Sequence, residues 1–243
     1  MHYWTGDTHG IGQLMSNRTS YEVGEFSVYA VLTSERWREN CYVVRHAGSG
    51  EHVIIDPGGG ADSIAEVVLQ NGGHAGQIWL THAHHDHVGA VSQLRRRFNI
   101  PCYLHAGDAR LLRQAPMYAL RFAGERLEAA EGVTTFELDP GLRFGDVSVG
   151  VIHTPGHTAG GVCYLLPGIA FTGDTLLFQR VGRQDLPGGD PEALVSSIGR
   201  LLQTVPERTL LFPGHGPSWT AGEAKRWWHS LVEPPPQEIG QPA

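Results

Sequence analysis

Cysteine, long apolar runs and excess positive charge are all scarce in this 243-residue sequence. Its three cysteines, Cys41, Cys102 and Cys163, are far apart and show no CxxC spacing, which predicts reduced and mostly buried thiols. No stretch approaches about 18 consecutive apolar residues, so no membrane span is expected. The first ten residues also lack the pattern of a secretory signal, and we therefore expect a cytoplasmic protein.

Basic residues are in the minority, with 18 Lys and Arg against 25 Asp and Glu and a formal net charge of −7. This balance argues against a nucleic-acid or anionic-membrane surface, and we expect neither partner. The one basic cluster, Arg95, Arg96 and Arg97, is interpreted as a solvated helix face.

Histidine is abundant, with 14 residues, and many of these fall in three short motifs. The first motif is the run His82-Ala83-His84-His85-Asp86-His87, which directly follows an apolar, strand-like stretch. Crowding nitrogen and oxygen donors into six residues is costly unless a cation relieves their desolvation. His82 and His84, two apart on an extended turn, are expected to reach one cation. Asp86 and His87, at the start of a helix, are expected to reach a second, and His85 is interpreted as a bystander.

Three lone donors follow further along the chain, each after a glycine at the end of a predicted strand. They are His157 in TPGHT, Asp174 in TGDT and His215 in PGHG. Glycine lets the backbone turn sharply and lets a side chain approach a crowded centre. Any one of these residues alone would more often cap a turn or be solvated. The same strand-end placement, repeated four times, predicts one shared metal site.

Together these motifs resemble the metallo-β-lactamase superfamily, in order and spacing, over residues 26–222. The resemblance implies an α/β fold, a four-layer αββα sandwich with its site at one edge of the two sheets. It also implies one metal on His82, His84 and His157, another on Asp86, His87 and His215, and Asp174 as the bridge between them. Asp56, in IDPG, matches the acid that orients a ligand histidine in this family. The alternative for Asp56 is a turn-initiating residue before proline.

The donor set suggests two Zn²⁺ ions, with Fe or Mn as alternatives. Two such cations about 3.5–4 Å apart would share a water, lower its pKa to about 7 and polarise a carbonyl group. Asp86 is predicted to orient the resulting bridging hydroxide as well as to bind metal, which makes it the candidate catalytic residue. The expected reaction is hydrolysis of a small-molecule acyl substrate: a thioester, lactone, ester or lactam.

Residues 178–190 resemble the glyoxalase II-like (hydroxyacylglutathione hydrolase-like) branch, which implies thioesterase activity on acylglutathione substrates. Arg183 and Asp185 in this stretch are interpreted as loop-fixing residues. Because the chain ends soon after His215, it is expected to lack the C-terminal helical domain of full glyoxalase II. A substrate cap is expected near 106–132, where four apolar residues would line an acyl pocket or pack onto the sandwich: Met117, Tyr118, Leu120 and Phe122.

The predicted organisation is an N-terminal arm over residues 1–25, one metallo-β-lactamase-fold domain over 26–233 and a disordered tail over 234–243. The Trp-rich end of the domain is interpreted as core, and a homodimer contact is left open as an alternative. Its tryptophans are Trp219, Trp227 and Trp228.

Four other functions remain to be weighed against thioester hydrolysis. A lactonase or esterase would use the same two-metal centre. A mononuclear iron persulfide dioxygenase shares the fold and, by resemblance, would hold its iron with His82, His157 and Asp174. A non-catalytic binding module is disfavoured because all seven ligands are present, and an RNA-processing nuclease is disfavoured by the acidic balance.

Overall fold

The computed structural model describes residues 18–232, and its first half builds one seven-stranded sheet. Strands β1 to β4 are antiparallel, and β4 to β7 run parallel. The strands are Arg18–Val23, Phe26–Leu32, Asn40–His46, His52–Ile55, Ala75–Trp79, Cys102–His105 and Thr134–Phe136. The helices of this half are α1 Ala61–Gln70, α2 His85–Val88, α3 Val91–Phe98 and α4 Ala109–Tyr118.

The second half builds a five-stranded sheet in the order β10-β11-β12-β15-β16, with two small hairpins, β8–β9 and β13–β14. The hairpin strands are β8 Arg143–Phe144, β9 Val147–Ser148, β13 Leu176–Leu177 and β14 Arg180–Val181. The sheet strands are β10 Gly150–His153, β11 Val162–Leu166, β12 Ile169–Gly173, β15 Leu210–Pro213 and β16 Trp219–Thr220. The helices are α5 Pro191–Thr204 and α6 Ala221–Val232.

Three apolar clusters separate four layers of structure. Strand β3 shows how alternation produces them, because successive side chains of a strand point to opposite faces. Cys41 and Val43 pack against the helices of the first half, whereas Tyr42 and Val44 pack between the two sheets. Helices α5 and α6 cover the outer face of the second sheet. The molecule is therefore a four-layer αββα sandwich, which confirms the expected fold class.

Several local predictions from the sequence are also confirmed. The three cysteines are buried and free. The basic cluster lies on α3, where Arg96 pairs with Glu128 and Arg97 pairs with Asp62 at the surface. No helix within residues 18–232 is long and apolar enough to cross a bilayer.

The structure also gives local detail within the predicted segments. Part of the expected N-terminal arm, Arg18–Val23, is strand β1, paired along its whole length with β2. The apolar pattern over 88–98 predicts one helix, but the chain forms α2 and α3 there, and the loop at Gly58 packs against Gly89 between them. In the cap, α4 continues only as a π-helix, Ala119–Ala123, which ends at Gly124 in a left-handed conformation. Residues 1–17 of the arm and the tail over 234–243 lie outside the described residues.

The packing of α5 yields a stability prediction. Leu201 is fully buried in the third cluster, so Leu201→Ala should leave a cavity and lower the free energy of unfolding by about 2–5 kcal/mol. Val195, on the same helix, is half exposed, and Val195→Ala should change it by less than about 0.5 kcal/mol. Urea unfolding of both variants checks this, and equal losses would contradict the assigned burial.

Candidate metal centre

The candidate ligands lie at one edge of the two sheets, just beyond the ends of four strands. The histidine run follows β5, His157 follows β10, Asp174 follows β12 and His215 follows β15. Strands β12 and β15 are parallel, so their carboxyl ends meet at the same edge. His84 is extended and α2 begins at His85, which separates the run into an extended part and a helical part, as expected.

One group of ligand atoms comes from His82, His84 and His157, all of them buried. One ring nitrogen from each lies within 4.8 Å of the other two, so the three could hold a metal ion. His84 Nδ1 and His157 Nε2 are only 2.9 Å apart. The structure therefore brings together the three residues that the resemblance assigns to one metal.

A second group comes from Asp86, His87 and His215, whose ligand atoms also lie within 4.8 Å of one another. His215 Nε2 is 3.5 Å from Asp86 Oδ2. Asp174 lies between the groups: its Oδ2 is 3.6 Å from Nε2 of both His157 and His215. All seven predicted ligands thus converge, and the one carboxylate expected to bridge faces both groups.

Three ligand imidazoles are oriented through the nitrogen that faces away from the centre. His157 Nδ1 donates to the Arg183 carbonyl (2.7 Å) and His215 Nδ1 donates to the Trp37 carbonyl (3.0 Å). A carbonyl oxygen only accepts, so these bonds leave Nε2 of each ring with its lone pair toward the centre. His87 Nδ1 lies 3.1 Å from Asp56 Oδ2.

Asp56 is itself held firmly. Its carboxylate accepts from the Thr81 amide (2.7 Å) and the Thr81 hydroxyl (2.5 Å), on the segment that leads into His82. Asp56 therefore connects the loop after β4 to the histidine run and contacts a ligand ring. A residue that only initiated a turn would not make these contacts.

The same residues lie within a match to a known protein family. The family model for the metallo-beta-lactamase superfamily matches residues 35–215 of this chain. The chain belongs to the metallo-beta-lactamase superfamily. Members of this superfamily bind a divalent metal, and the His and Asp groups above could hold one.

Three superfamily relatives illustrate the range of similarity. Hydroxyacylglutathione hydrolase GloC of Haemophilus influenzae is 33% identical over 200 residues, covering 81% of this chain and 94% of that protein. The crystal structure of TTHA1623 in a di-iron-bound form is 39% identical, with a TM-score of 0.71 over 80% of this chain and 96% of that one. The BLEG-1 B3 metallo-beta-lactamase is 34% identical, with a TM-score of 0.74 over 84% and 97%. These relatives support a metal-dependent hydrolase in general.

Burial and neighbouring charges give the two groups of candidate metal ligands different protonation states. Burial, together with a smaller contribution from the His157 ring, lowers the pKa of His84 to about 3. Burial likewise holds the pKa of His82 well below its usual value, and the nearby His87 adds to this. Both rings are neutral at pH 7, which is the form that binds metal.

The second group carries charge. Burial raises the pKa of Asp86, but the hydrogen bond with His215 and the charge of His87 outweigh it, so the pKa is low and the carboxylate is ionised. Burial lowers the pKa of His87, but the hydrogen bond with Asp56 and the charge of Asp86 raise it well above its usual value. A cation bound here would displace the proton of His87, since a ligand must be deprotonated.

Two buried acids near the ligands escaped the sequence analysis. Glu39 is fully buried, accepts from the Thr33 hydroxyl, and places Oε1 4.0 Å from His87 Nδ1. Burial raises its pKa well above the usual value, although His87 opposes this. It follows no motif, so nothing in the sequence near Glu39 signals this position.

Asp108 is the second missed acid, and it joins the two loops that carry the first ligand group. Its Oδ2 accepts from the Ala83 amide (3.0 Å) and the Thr158 hydroxyl (2.8 Å), while Oδ1 accepts from the Gly160 amide (2.7 Å). Ala83 lies between His82 and His84 in the chain, and Thr158 follows His157. The only sequence signal for Asp108 was its position shortly after β6, a strand that ends at the same sheet edge as the ligands.

Asp108→Ala is predicted to loosen the first ligand group selectively. Asp108 supports the ligands through the neighbouring residues Ala83 and Thr158, and removing such outer support typically lowers metal affinity about 10- to 100-fold. We expect that loss in one of two Zn²⁺-binding steps, measured by competition with a chromophoric chelator. Asp62→Ala, which removes an exposed acid paired with Arg97, should leave both steps unchanged. Equal weakening of both steps in Asp108→Ala would contradict the prediction.

Proposed function

We propose that this protein is a two-metal hydrolase that cleaves a thioester of the acylglutathione type. The observation that carries the proposal is the convergence of seven donors in two groups, with Asp174 between them. A mononuclear iron site on His82, His157 and Asp174 would leave the second group without a metal to bind. The second group, Asp86, His87 and His215, has the same close spacing as the first.

The donor atoms fit a pair of cations. His82 Nε2 and Asp174 Oδ1 are buried and have no hydrogen-bond partner among the described residues. A buried polar atom without a partner is costly, and a metal ion supplies the missing interaction. Imidazole and carboxylate donors suit Zn²⁺, Fe and Mn, and we propose Zn²⁺ as the native pair. The di-iron form of TTHA1623 makes iron the first alternative.

Bound to these donors, two cations would lower the pKa of a shared water to about 7 and polarise the substrate carbonyl. The protein's own residues supply orientation. Asp86 is ionised and lines the cavity above the ligands, so its carboxylate can accept a hydrogen bond from the attacking water and direct it. The carbonyls of Arg183 and Trp37 keep His157 and His215 turned toward the centre.

The thioester assignment has two supports. GloC, at 33% identity over most of both chains, is a hydroxyacylglutathione hydrolase. The stretch over 178–190, which resembles that branch, also contributes directly to the centre through the Arg183 carbonyl. Arg183 forms an exposed ion pair with Asp185, which fits the loop-fixing role expected for both. The BLEG-1 similarity makes a β-lactam an essential competitor in any substrate test.

Asp86→Ala should lower kcat for thioester hydrolysis at least about 100-fold, because it removes both a ligand and the group that directs the water. The measurement is a panel of acylglutathione, other thioesters, lactones and a β-lactam on protein of known metal content. Asp139→Ala, an exposed acid in a surface turn, serves as control. Chelator should abolish all true activities alike, and Zn²⁺ should restore them.

Two results would overturn the proposal. One iron per chain, with oxygen uptake on glutathione persulfide, would assign the protein as a dioxygenase. Strong lactone or lactam hydrolysis without thioester hydrolysis would leave the metal centre in place but remove the substrate class. Retained turnover in Asp86→Ala would remove the catalytic role of that residue.

A further inference from the structure

A cavity of about 430 Å³ opens directly over the ligands, and its remaining walls are mostly apolar. Leu111 and Tyr118 of α4 form one wall with Phe122 of the π-helix. Leu177 and Val181 of the β13–β14 hairpin face them. A space of this size is typical of a small-molecule site, in which apolar walls bind and a few polar groups orient.

Phe122 is held in the cavity wall although 43% of its surface is exposed. Its ring stacks on Tyr118, with centroids 5.8 Å apart and planes 8° from parallel. The Arg36 guanidinium donates to the carbonyls of Phe122 (2.8 Å) and Ala123 (3.0 Å). The π-helix is a rare element that occurs frequently at functional sites. This wall is therefore preformed before any ligand enters.

A second space, of about 360 Å³, adjoins the first and is polar. The two share Trp37, His85 and Asp86, so they adjoin beside one of the candidate ligands. His85, interpreted from the sequence as a bystander, packs edge-on against Trp37 at 5.3 Å and separates the two spaces. The walls of the second space include hydroxyl, amide and charged side chains: Thr33, Ser34, Gln93, Glu125, Arg126 and Glu128.

We propose that the substrate is a thioester with a bulky apolar acyl group, which occupies the 430 Å³ cavity, while its polar thiol portion lies in the 360 Å³ space beyond His85. This inference rests on the proposed function. Water adds to the thioester carbonyl carbon and the C–S bond breaks. The sulfur leaves with the bonding electron pair and is protonated, giving a carboxylic acid and a free thiol. The lining also contains Arg180 and Arg183, but a hydroxyl placed against Leu111, Leu177 or Val181 would be buried without a partner, which is costly.

The first experiment is an acyl-chain series on the metal-loaded protein. Glutathione thioesters of acetate, butanoate, hexanoate, octanoate and lactate are compared by kcat/KM. Each added methylene should raise kcat/KM about fourfold until the cavity is full, and the lactoyl ester should fall below the butanoyl ester. A flat profile, or a preference for the lactoyl ester, would overturn the inference.

The second experiment uses paired variants of the cavity walls. Val181→Phe should fill the cavity and lower the ratio of octanoyl to acetyl kcat/KM at least about tenfold. A change in that ratio cannot come from misfolding, which would lower both activities alike. Phe122→Ala should also weaken octanoyl turnover, whereas Leu120→Ala should not. Leu120 is the matched control, because it lies on the same π-helix, is 59% exposed and does not line the cavity. Equal effects of Phe122→Ala and Leu120→Ala would overturn the inference.

A binding measurement separates this inference from the proposed function. Octanoate and lactate are titrated calorimetrically into metal-loaded protein and into Val181→Phe. Octanoate should bind more tightly than lactate, and Val181→Phe should remove that preference. If no thioester is hydrolysed but the preference for octanoate persists, the proposed function fails and the apolar cavity stands. If lactate binds as tightly as octanoate, the cavity assignment fails whatever the activity.

Discussion

Burying ligand imidazoles at a sheet edge is the constraint on which the rest of this structure depends. Each ring must point one nitrogen at the centre, and its other nitrogen then needs a partner away from water. The partners come from distant parts of the chain: the carbonyls of Trp37 and Arg183 and the carboxylate of Asp56. The loops after several strands must therefore meet at one edge, which is what two sheets packed face to face allow.

Close backbone contact is the second requirement, and glycine satisfies it at the points where these loops cross. A Cβ on Gly58 would lie 1.6 Å from the Asp86 carbonyl oxygen, and one on Gly182 would lie 1.9 Å from that of Asp174. Neither contact is sterically tolerable, so any side chain there would push a ligand away from the centre. The glycines beside the ligands thus determine the spacing of the metal groups as directly as the donors do.

Local pattern and long-range contact explain what the sequence could and could not predict. Strands Phe26–Leu32 and His52–Ile55 are β-branched, apolar runs flanked by turn residues, and such local signals predict their bounds from the sequence. The ligands were predicted because their motifs repeat at strand ends. Asp108 and Glu39 were missed because their roles exist only through contacts with distant loops. The bounds of strand Arg18–Val23 depend on its pairing with β2, which its own weak apolar pattern does not reveal.

The segment over 33–39 links the chemistry to the substrate cavity. The Trp37 carbonyl accepts from His215, and the Trp37 ring lines the cavity. The Arg36 guanidinium donates to the Phe122 carbonyl on the π-helix. A substrate that moved Phe122 would strain the hydrogen bonds of Arg36. The next residue, Trp37, carries the carbonyl that accepts from His215, so that hydrogen bond lies close by along the chain. The cap and the second metal group are therefore joined through one short segment of chain. Substitutions in the π-helix can change which acyl groups the cavity accepts without altering a metal-binding residue. This requires that Arg36 keeps its hydrogen bonds to the carbonyls of Phe122 and Ala123.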